Sequence, residues 1–441
     1  MTTQLAVEAT ERESAPEDRT AASVRTRVVV YGMNYAPELA GVGRYTGEIA
    51  EHLAQTGVDV SVVTTPPHYP GWKVSGSFRN RYSSGVENGV KVLRTPLLLR
   101  QKMGGIWRLI APLSFALTSA PVIFWEIVRR RPHAVVCVEP TLFASPVALV
   151  AAKIVGARTV LHVQDLEVDA AFAVGHLGKS KLLSGLAFGF ERTVLKGFNS
   201  IITISERMCE KLEEKGLSRS KLQVLRNWVD IDHIYPLEQV SPYRDELGYG
   251  PEDFIVLYSG NIGAKQGLNI LLDAAEALEK VHSHVKFVVA GDGPVKAGLE
   301  KRYGQLANVR FLPFQPYARL NEFLNMADLH ALPQEKGAAD LVLPSKLGGM
   351  LASGKQILVT ADEGTELAEF LAGSALLVPP GDPALLAQGV ARVASGEIAD
   401  RRDQRLGLSR RLSKAIGIAE FAAVVASPGL SSRTRRRRVS G

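Results

Sequence analysis

Four short stretches of this sequence combine residue types and spacings that could do chemistry. In SGNIGAKQGL, residues 259–268, Gly260, Gly263 and Gly267 let backbone approach a ligand closely. Lys265 adds a full positive charge there and Asn261 a neutral donor, just where a helix begins and its amino end favours an anion. That is phosphate chemistry. The Walker ending is absent, which argues against an ATPase loop, and the same residues would also serve a tight strand–helix turn with a solvated lysine. In VLHVQDLEVDAA, residues 160–171, His162, Asp165, Glu167 and Asp169 gather at a strand end. A histidine among carboxylates can hold substrate hydroxyls or move protons; it can also be satisfied by backbone at a sheet edge.

The third stretch, DLVLPSKLGGMLASGKQILV, runs from Asp340 through Ser345 and Lys346 into a short helix that Gly354 closes. Pro344 suits a helix's first turn, but a lysine there opposes the macrodipole unless an anion lies near. The fourth, PPHYPGW, carries His68, Tyr69 and Trp72 on a proline-stiffened loop that could stack a sugar or a lipid head, or merely connect two elements. No HxxxH or CxxC spacing supports a metal site.

These stretches need elements to hold them. From Arg25 to Trp228, apolar runs such as RVVVYGM, VDVSVVTT, VKVLRTP, HAVVCVE, RTVLHVQ, SIITIS and KLQVLRN alternate with helical patterns. Residues 229–252 lose that periodicity and read as a linker. The alternation then restarts with FIVLYSGN, VKFVVAGDG, NVRFLP, ADLHALP, KQILVT and ALLVPP. Strands alternating with helices imply parallel sheets, so the fold class is α/β, with two doubly wound Rossmann-like domains at 25–228 and 253–415. A lead at 1–24 without signal-peptide character and a C-terminal segment with a basic tail at 416–441 flank them. In such folds ligands sit beyond the carboxyl ends of the strands, so the two faces are expected to look into one cleft. The first of those turns is unusual. After VVVYGM it is longer than the GxGxxG of a dinucleotide fold, holds Pro37, Glu38, Gly41 and Gly43, and delivers Arg44 and Tyr45 at the helix start.

At 441 residues, 46% hydrophobic and 22% charged, the chain has the composition of a globular protein with room for two cores. Its two cysteines, Cys137 and Cys209, form no framework and suit a reducing compartment. The net charge of +7 is unevenly placed: basic residues, among them Arg100, Lys102, Arg108 and Arg129 to Arg131, bracket the apolar run 109–128. That run is long enough to span a bilayer, yet Pro112, Pro121 and Glu126 favour a helix partly buried and partly touching anionic lipid. The arginine-rich end also reads as a solvated tail.

With these residues in view the chain resembles the retaining, GT-B-fold glycosyltransferases of family 4, in the branch that makes colanic-acid-type exopolysaccharide. YGMNYAPELAGVGRYTGEIAEHL, TTPPHYPGWKV, HVQDLEVDA, SGNIGAKQGL, AADLVLPSKLGGMLASG and LLVPPGDPALLA carry the resemblance, in order, over Arg25 to Ala415. It implies transfer of a hexose or deoxyhexose from a nucleotide-diphosphate sugar to a polyprenyl-diphosphate-linked saccharide. No metal, no further cofactor and no nucleic acid would take part, and the protein would sit on the cytoplasmic face of an anionic membrane. Gly41 and Gly43 would face the donor's diphosphate, together with Gly260, Asn261, Gly263, Lys265, Asp340, Ser345 and Lys346. His162 would lie by the transferred sugar, and His68, Tyr69, Trp72 and Asp165 on the acceptor side. Lys265 stands one residue earlier than the family's usual lysine, and Asn261 replaces its arginine. Many members use paired glutamates eight apart on sugar and ribose hydroxyls; those positions are Leu341 and Gly349 here. A nucleotide-sugar-binding scaffold without catalysis, or an epimerase on the same fold, are the competing readings.

Overall fold

The computed structural model describes residues 25–38, 41–69, 71–100, 107–140, 142–166, 181–336 and 342–426. Lys102, Glu167, Asp169, Asp340, Leu341 and the basic tail, on which some of these expectations rest, lie outside them.

Apolar runs become strands in both halves. The N-terminal half forms β1 (Arg27–Tyr31), β2 (Asp59–Thr64), β3 (Ser83–Glu87), β4 (Val90–Arg94), β5 (Ala134–Glu139), β6 (Arg158–Val163), β7 (Ser200–Thr203) and β8 (Leu222–Val224). Their order is β3-β4-β2-β1-β5-β6-β7-β8, parallel except for the β3–β4 hairpin. β3 was not among the expected strands: its sequence, SSGVE, is mostly exposed and carries no apolar run. The C-terminal half forms β9 (Phe254–Ser259), β10 (Val285–Ala290), β11 (Val309–Leu312), β12 (Leu329–Leu332), β13 (Gln356–Thr360) and β14 (Leu376–Val378). They lie all parallel in the order β11-β10-β9-β12-β13-β14.

Helices cover both faces of β1, which is why its VVVY is buried throughout instead of alternating. β1 lies between β2 and β5, and β9 between β10 and β12, so the strand order reverses beside each. The loops that leave these two strands therefore occupy the switch points where doubly wound folds bind ligands. The helix Val42–Gln55 buries Ile49, Ala50 and Leu53 on one side and stops at Thr56, ahead of Gly57 at φ 86°.

Two segments pack differently from their expected places. The stretch 229–252 is no free linker: Val229, Ile234 and Tyr243 are buried with Phe323, Met350 and Leu351 in the C-terminal core, and Arg244 pairs with Asp328 at 3.0 Å. The helix Lys414–Ala426 crosses back to the N-terminal domain, where Ile418, Phe421 and Val425 join Val28, Val160 and Ile202, and the Val424 carbonyl accepts from Arg158.

The apolar run 109–128 lies within the helix Trp107–Arg130, whose span Leu109–Arg130 is long and apolar enough to cross a membrane. One of its faces is nonetheless domain core: Phe115, Ile123 and Ile127 are fully buried with Val29 and Val135, and buried Glu126 pairs with Lys91 at 3.0 Å and Arg130 at 3.6 Å. Its other face exposes Leu113, Leu117, Phe124 and Trp125.

Candidate functional site

The loop after β9 is built on a second glycine turn. Gly260 and Gly291 both adopt φ 144°, with Gly260 N–H donating to the Ala290 carbonyl at 2.9 Å and Ile262 N–H to that of Asp292 at 2.8 Å. The stacking leaves no room for side chains, since a Cβ on Gly291 would lie 1.8 Å from the Gly260 carbonyl oxygen and one on Gly293 2.2 Å from that of Ile262. AGDG, residues 290–293, was expected only as a strand end. The available signal was that VVAGDG repeats the strand-then-glycine pattern of LYSGN one strand over, in register at Ser259 and Ala290.

Lys265 lies exposed in the turn Ala264–Gln266, with exposed Asn261 and buried, extended Gly263 before it. Gly267, at φ 61°, ends the turn against the Gln334–Glu335 backbone. Lys346 is placed differently. Its nitrogen lies 3.8 Å from the centre of the Tyr258 ring and would be 3.3 Å from a Cβ on Gly260. The nitrogen is buried and makes no hydrogen bond among the described residues, and burial pushes its pKa down to about 7. Tyr258 is held in turn, its hydroxyl donating to the Asn261 carbonyl at 2.5 Å. Ser345 lines the crevice between the domains with Arg226, Asn227 and Pro344. Asp340 lies outside the described residues.

Gly349, the position at which the resemblance implied a glutamate in many members, meets apolar neighbours here: a Cβ would lie 3.1 Å from Leu324 and 3.6 Å from Ile234.

On the N-terminal side, the organising residue is Glu38, to which no sequence motif assigns a role. It is 5% exposed. One of its oxygens accepts the backbone N–H groups of His68 and Tyr69, both at 2.9 Å, and the other accepts from the Asn34 amide at 2.9 Å. The carboxylate thus clamps the PPHYPGW loop to the loop after β1. Gly43 is required beneath it, because a Cβ there would sit 2.4 Å from a Glu38 oxygen. Gly41, at φ 67°, is the N-cap of Val42–Gln55, which no side chain caps, and half-exposed Tyr69 lies over it. His68 is buried, its Nδ1 3.1 Å from the Thr65 hydroxyl and its ring 5.7 Å from that of Trp72. Arg44 turns toward the C-terminal domain: it pairs with Glu48 at 3.1 Å and lies 5.8 Å from the ring of Tyr317 there.

His162, second from the end of β6, is 1% exposed, its ring 5.1 Å from Phe421 of the returning helix, and burial pushes its pKa down to about 3. Strand alternation explains this, since Val160 and His162 share the β6 face that this helix covers. Its Nε2 meets the Gln164 amide at 2.9 Å, Gln164 pairs with Asn227 at 2.9 and 3.0 Å, and Asn227 lines the crevice. The histidine therefore stands two residues behind the opening. Asp165, at the end of β6, is exposed. The domains are also tied together directly: Glu366 of the C-terminal domain accepts from Arg226 at 2.8 Å and from the backbone of Glu206 and Arg207 at 3.2 and 3.1 Å. Among the described residues no group of three or more His, Cys, Asp or Glu side chains could hold a metal.

Comparison with known proteins accounts for both halves. Residues 40–228 match the family described as a glycosyl transferase 4-like domain, and residues 240–408 the glycosyl transferases group 1. A protein of Escherichia coli K12 described as a colanic acid biosynthesis glycosyl transferase, WcaI, is 39% identical over 377 residues, which are 82% of this chain and 91% of that one. Among solved structures, a sucrose-phosphate synthase from Thermosynechococcus elongatus superposes with a TM-score of 0.69 at 14% identity, over 91% of this chain and 98% of its own. HepE of Anabaena, solved in complex with UDP, superposes with a TM-score of 0.66 at 16% identity, over 91% and 100%. At these identities the two structures speak for the fold alone, the GT-B pair of Rossmann-like domains.

Proposed function

The chain belongs to the family 4 glycosyltransferases of the colanic-acid type, and from that premise we propose that it moves a hexose or deoxyhexose from a nucleoside-diphosphate sugar to a polyprenyl-diphosphate-linked saccharide, with retention and without a metal ion. The observation that carries the donor half of this reading is the buried Lys346 nitrogen beside the Gly260 loop, which has no hydrogen-bond partner among the described residues, with Lys265 exposed on the same loop. Two cations and closely approachable backbone suit a diphosphate. That HepE has also been solved with UDP-glucose is a fact about that protein, and its like fold makes a nucleotide sugar the natural candidate here.

In the proposed reaction the acceptor hydroxyl oxygen bonds to the anomeric carbon on the face the diphosphate leaves. The bond from that carbon to the diphosphate oxygen breaks, and the departing oxygen takes the hydroxyl proton. Lys265 and Lys346 then stabilise the charge gathering on the diphosphate, the term that usually dominates such catalysis. Closure of the crevice would exclude water. Tyr69 and Trp72, held by the Glu38 clamp, would offer the acceptor sugar an aromatic edge.

A lipid-linked acceptor requires a membrane-facing surface. The exposed Leu113, Leu117, Phe124 and Trp125, with exposed Arg129 and Arg131 at the same helix's end, supply one in this proposal. The protein would then sediment with anionic vesicles at low salt and be released at high salt. Retention through alkaline washing would favour insertion instead, and no binding at any salt would favour a soluble acceptor.

The deciding experiment incubates the purified protein with labelled nucleotide sugars, with and without membrane lipid extract and with and without a chelator. Label transferred into lipid, undiminished by the chelator, is the expected result. Conversion of free donor would mean an epimerase. Binding without either would mean a scaffold, the reading that Gly349 in place of a glutamate favours.

A further inference from the structure

We infer that Lys346 couples occupation of the diphosphate site to proton uptake, waiting as a neutral amine over Tyr258 and becoming the ammonium that pairs with the donor. This rests on the reading above that a nucleoside-diphosphate sugar binds beside Gly260.

The geometry makes the case. An ammonium buried without a hydrogen-bond acceptor is costly, and an aromatic face offsets only part of that cost. Lys346 is in that position: its nitrogen is buried and unpaired among the described residues, and lies 3.8 Å from the centre of the Tyr258 ring. Among the described residues, the groups on the surrounding elements do not supply the missing charge. β9 contributes the Tyr258 phenol, whose ionisation burial pushes far up. The glycine turn contributes Asn261 and the exposed, like-charged Lys265. Across the crevice Arg226 is already paired with Glu366, and Lys346's own helix, Leu347–Ala352, carries no titratable side chain. Burial alone accounts for the depressed pKa, near 7 instead of 10.5.

A diphosphate arriving beside Gly260 would bring the counter-charge that the site lacks. The lysine's pKa then rises toward its ordinary value, and above neutral pH binding draws in a proton. Linkage fixes the sign: affinity is level below about pH 7 and falls as pH rises beyond it, by up to about tenfold per pH unit. Lys265, exposed, carries its charge at all these pH values and contributes no such slope.

The test is calorimetry at pH 8 in two buffers of unlike ionisation heat, with UDP, GDP, ADP, CDP and dTDP as probes. These diphosphates are fully ionised at that pH, so the difference between buffers counts protons taken up by the protein. The wild-type protein is expected to take up nearly one proton per nucleotide bound. Lys346→Arg should bind without uptake, Lys346→Met should bind at least tenfold more weakly and without uptake, and Lys265→Ala should keep the uptake. Nucleotide binding with no uptake by the wild type overturns the inference alone. So does uptake that survives in Lys346→Met, which would point to another group. No binding of any of the five probes overturns the donor reading and the inference with it. Should Lys346→Met fail to fold, the wild-type count and Lys346→Arg still decide.

Discussion

Both domains begin with a buried parallel strand, a glycine-bearing loop and a helix, yet the two loops dispose of their charge in opposite ways. After β1 the buried charge is Glu38, whose two oxygens accept two backbone N–H groups and an amide from the protein itself. After β9 the buried ionisable group is Lys346, laid over a tyrosine ring with no hydrogen-bond partner among the described residues. The first loop is finished without a ligand, and its polar groups build a scaffold. In the second the described residues leave a buried polar group unpaired, and such a group calls for a partner from outside. Similar topology thus yields one loop whose buried carboxylate is satisfied from within and one whose buried amine is not satisfied by the described residues.

The largest effect that tests this contrast is at Gly291. A methyl group there would sit 1.8 Å from the Gly260 carbonyl oxygen, at a φ of 144° that alanine rarely adopts. Gly291→Ala should abolish measurable nucleotide binding, with circular dichroism showing both domains still folded. Its counterpart is Gly43→Ala, whose methyl would press on Glu38 from 2.4 Å. That variant should lose transfer to acceptor while still binding nucleotide. If both variants lost the same function, the division of labour between the loops would be gone.

Next in size is Glu38→Ala. It strands two backbone donors and the Asn34 amide, each worth about 1–3 kcal/mol if left buried and unpaired. Water entering the space would satisfy part of that, so a loss of about 2–4 kcal/mol is expected in urea unfolding of the N-terminal domain. Nucleotide affinity should stay within twofold. An unchanged midpoint would mean that Glu38 clamps nothing.

The sequence displayed much of this and hid the rest for physical reasons. Apolar runs marked every strand except β3, because SSGVE is ordered by pairing with β4 and not by burying its side chains. Gly260, Lys265 and Lys346 stand out by residue type and spacing alone. What composition could not reveal was which side of a sheet a third element would cover. His162 looked like a strand-end catalyst, but the helix Lys414–Ala426 returns over that face and brings Phe421 onto its ring. Glu38 was visible as a residue, but the two backbone groups it clamps lie thirty positions or more away at His68 and Tyr69, beyond any local pattern.

A smaller effect is expected at Lys265. Its ammonium is exposed, so its contact with phosphate would be worth the low end of the roughly 1.5–3 kcal/mol for a charge-assisted hydrogen bond. Lys265→Ala should weaken nucleotide binding about tenfold, less than Lys346→Met at neutral pH, and salt should narrow the difference from wild type. Equal affinity at every salt concentration would make it a solvated lysine and leave the donor site to Lys346.

The smallest expected effect has the opposite sign from that at Glu38, and so examines the contrast most closely. Removing a satisfied buried charge destabilises a fold; removing an unsatisfied one relieves it. In the empty protein Lys346 titrates near 7, against 10.5 when unfolded. Above pH 10.5 both states are neutral, and the group costs nothing. As pH falls below that, the unfolded chain binds a proton that the folded one refuses, and stability declines until pH passes below 7. Lys346→Met removes this penalty and keeps a flexible chain against the Tyr258 ring, where sulfur packs well. The variant should therefore melt a few degrees above wild type at pH 7, with the gap closing toward pH 10. Saturating nucleoside diphosphate should reverse the order, because the ligand supplies wild type with the counter-charge that methionine cannot use. A variant less stable than wild type at pH 7 would show that Lys346 already has its partner inside the protein, and the two loops would then be alike after all.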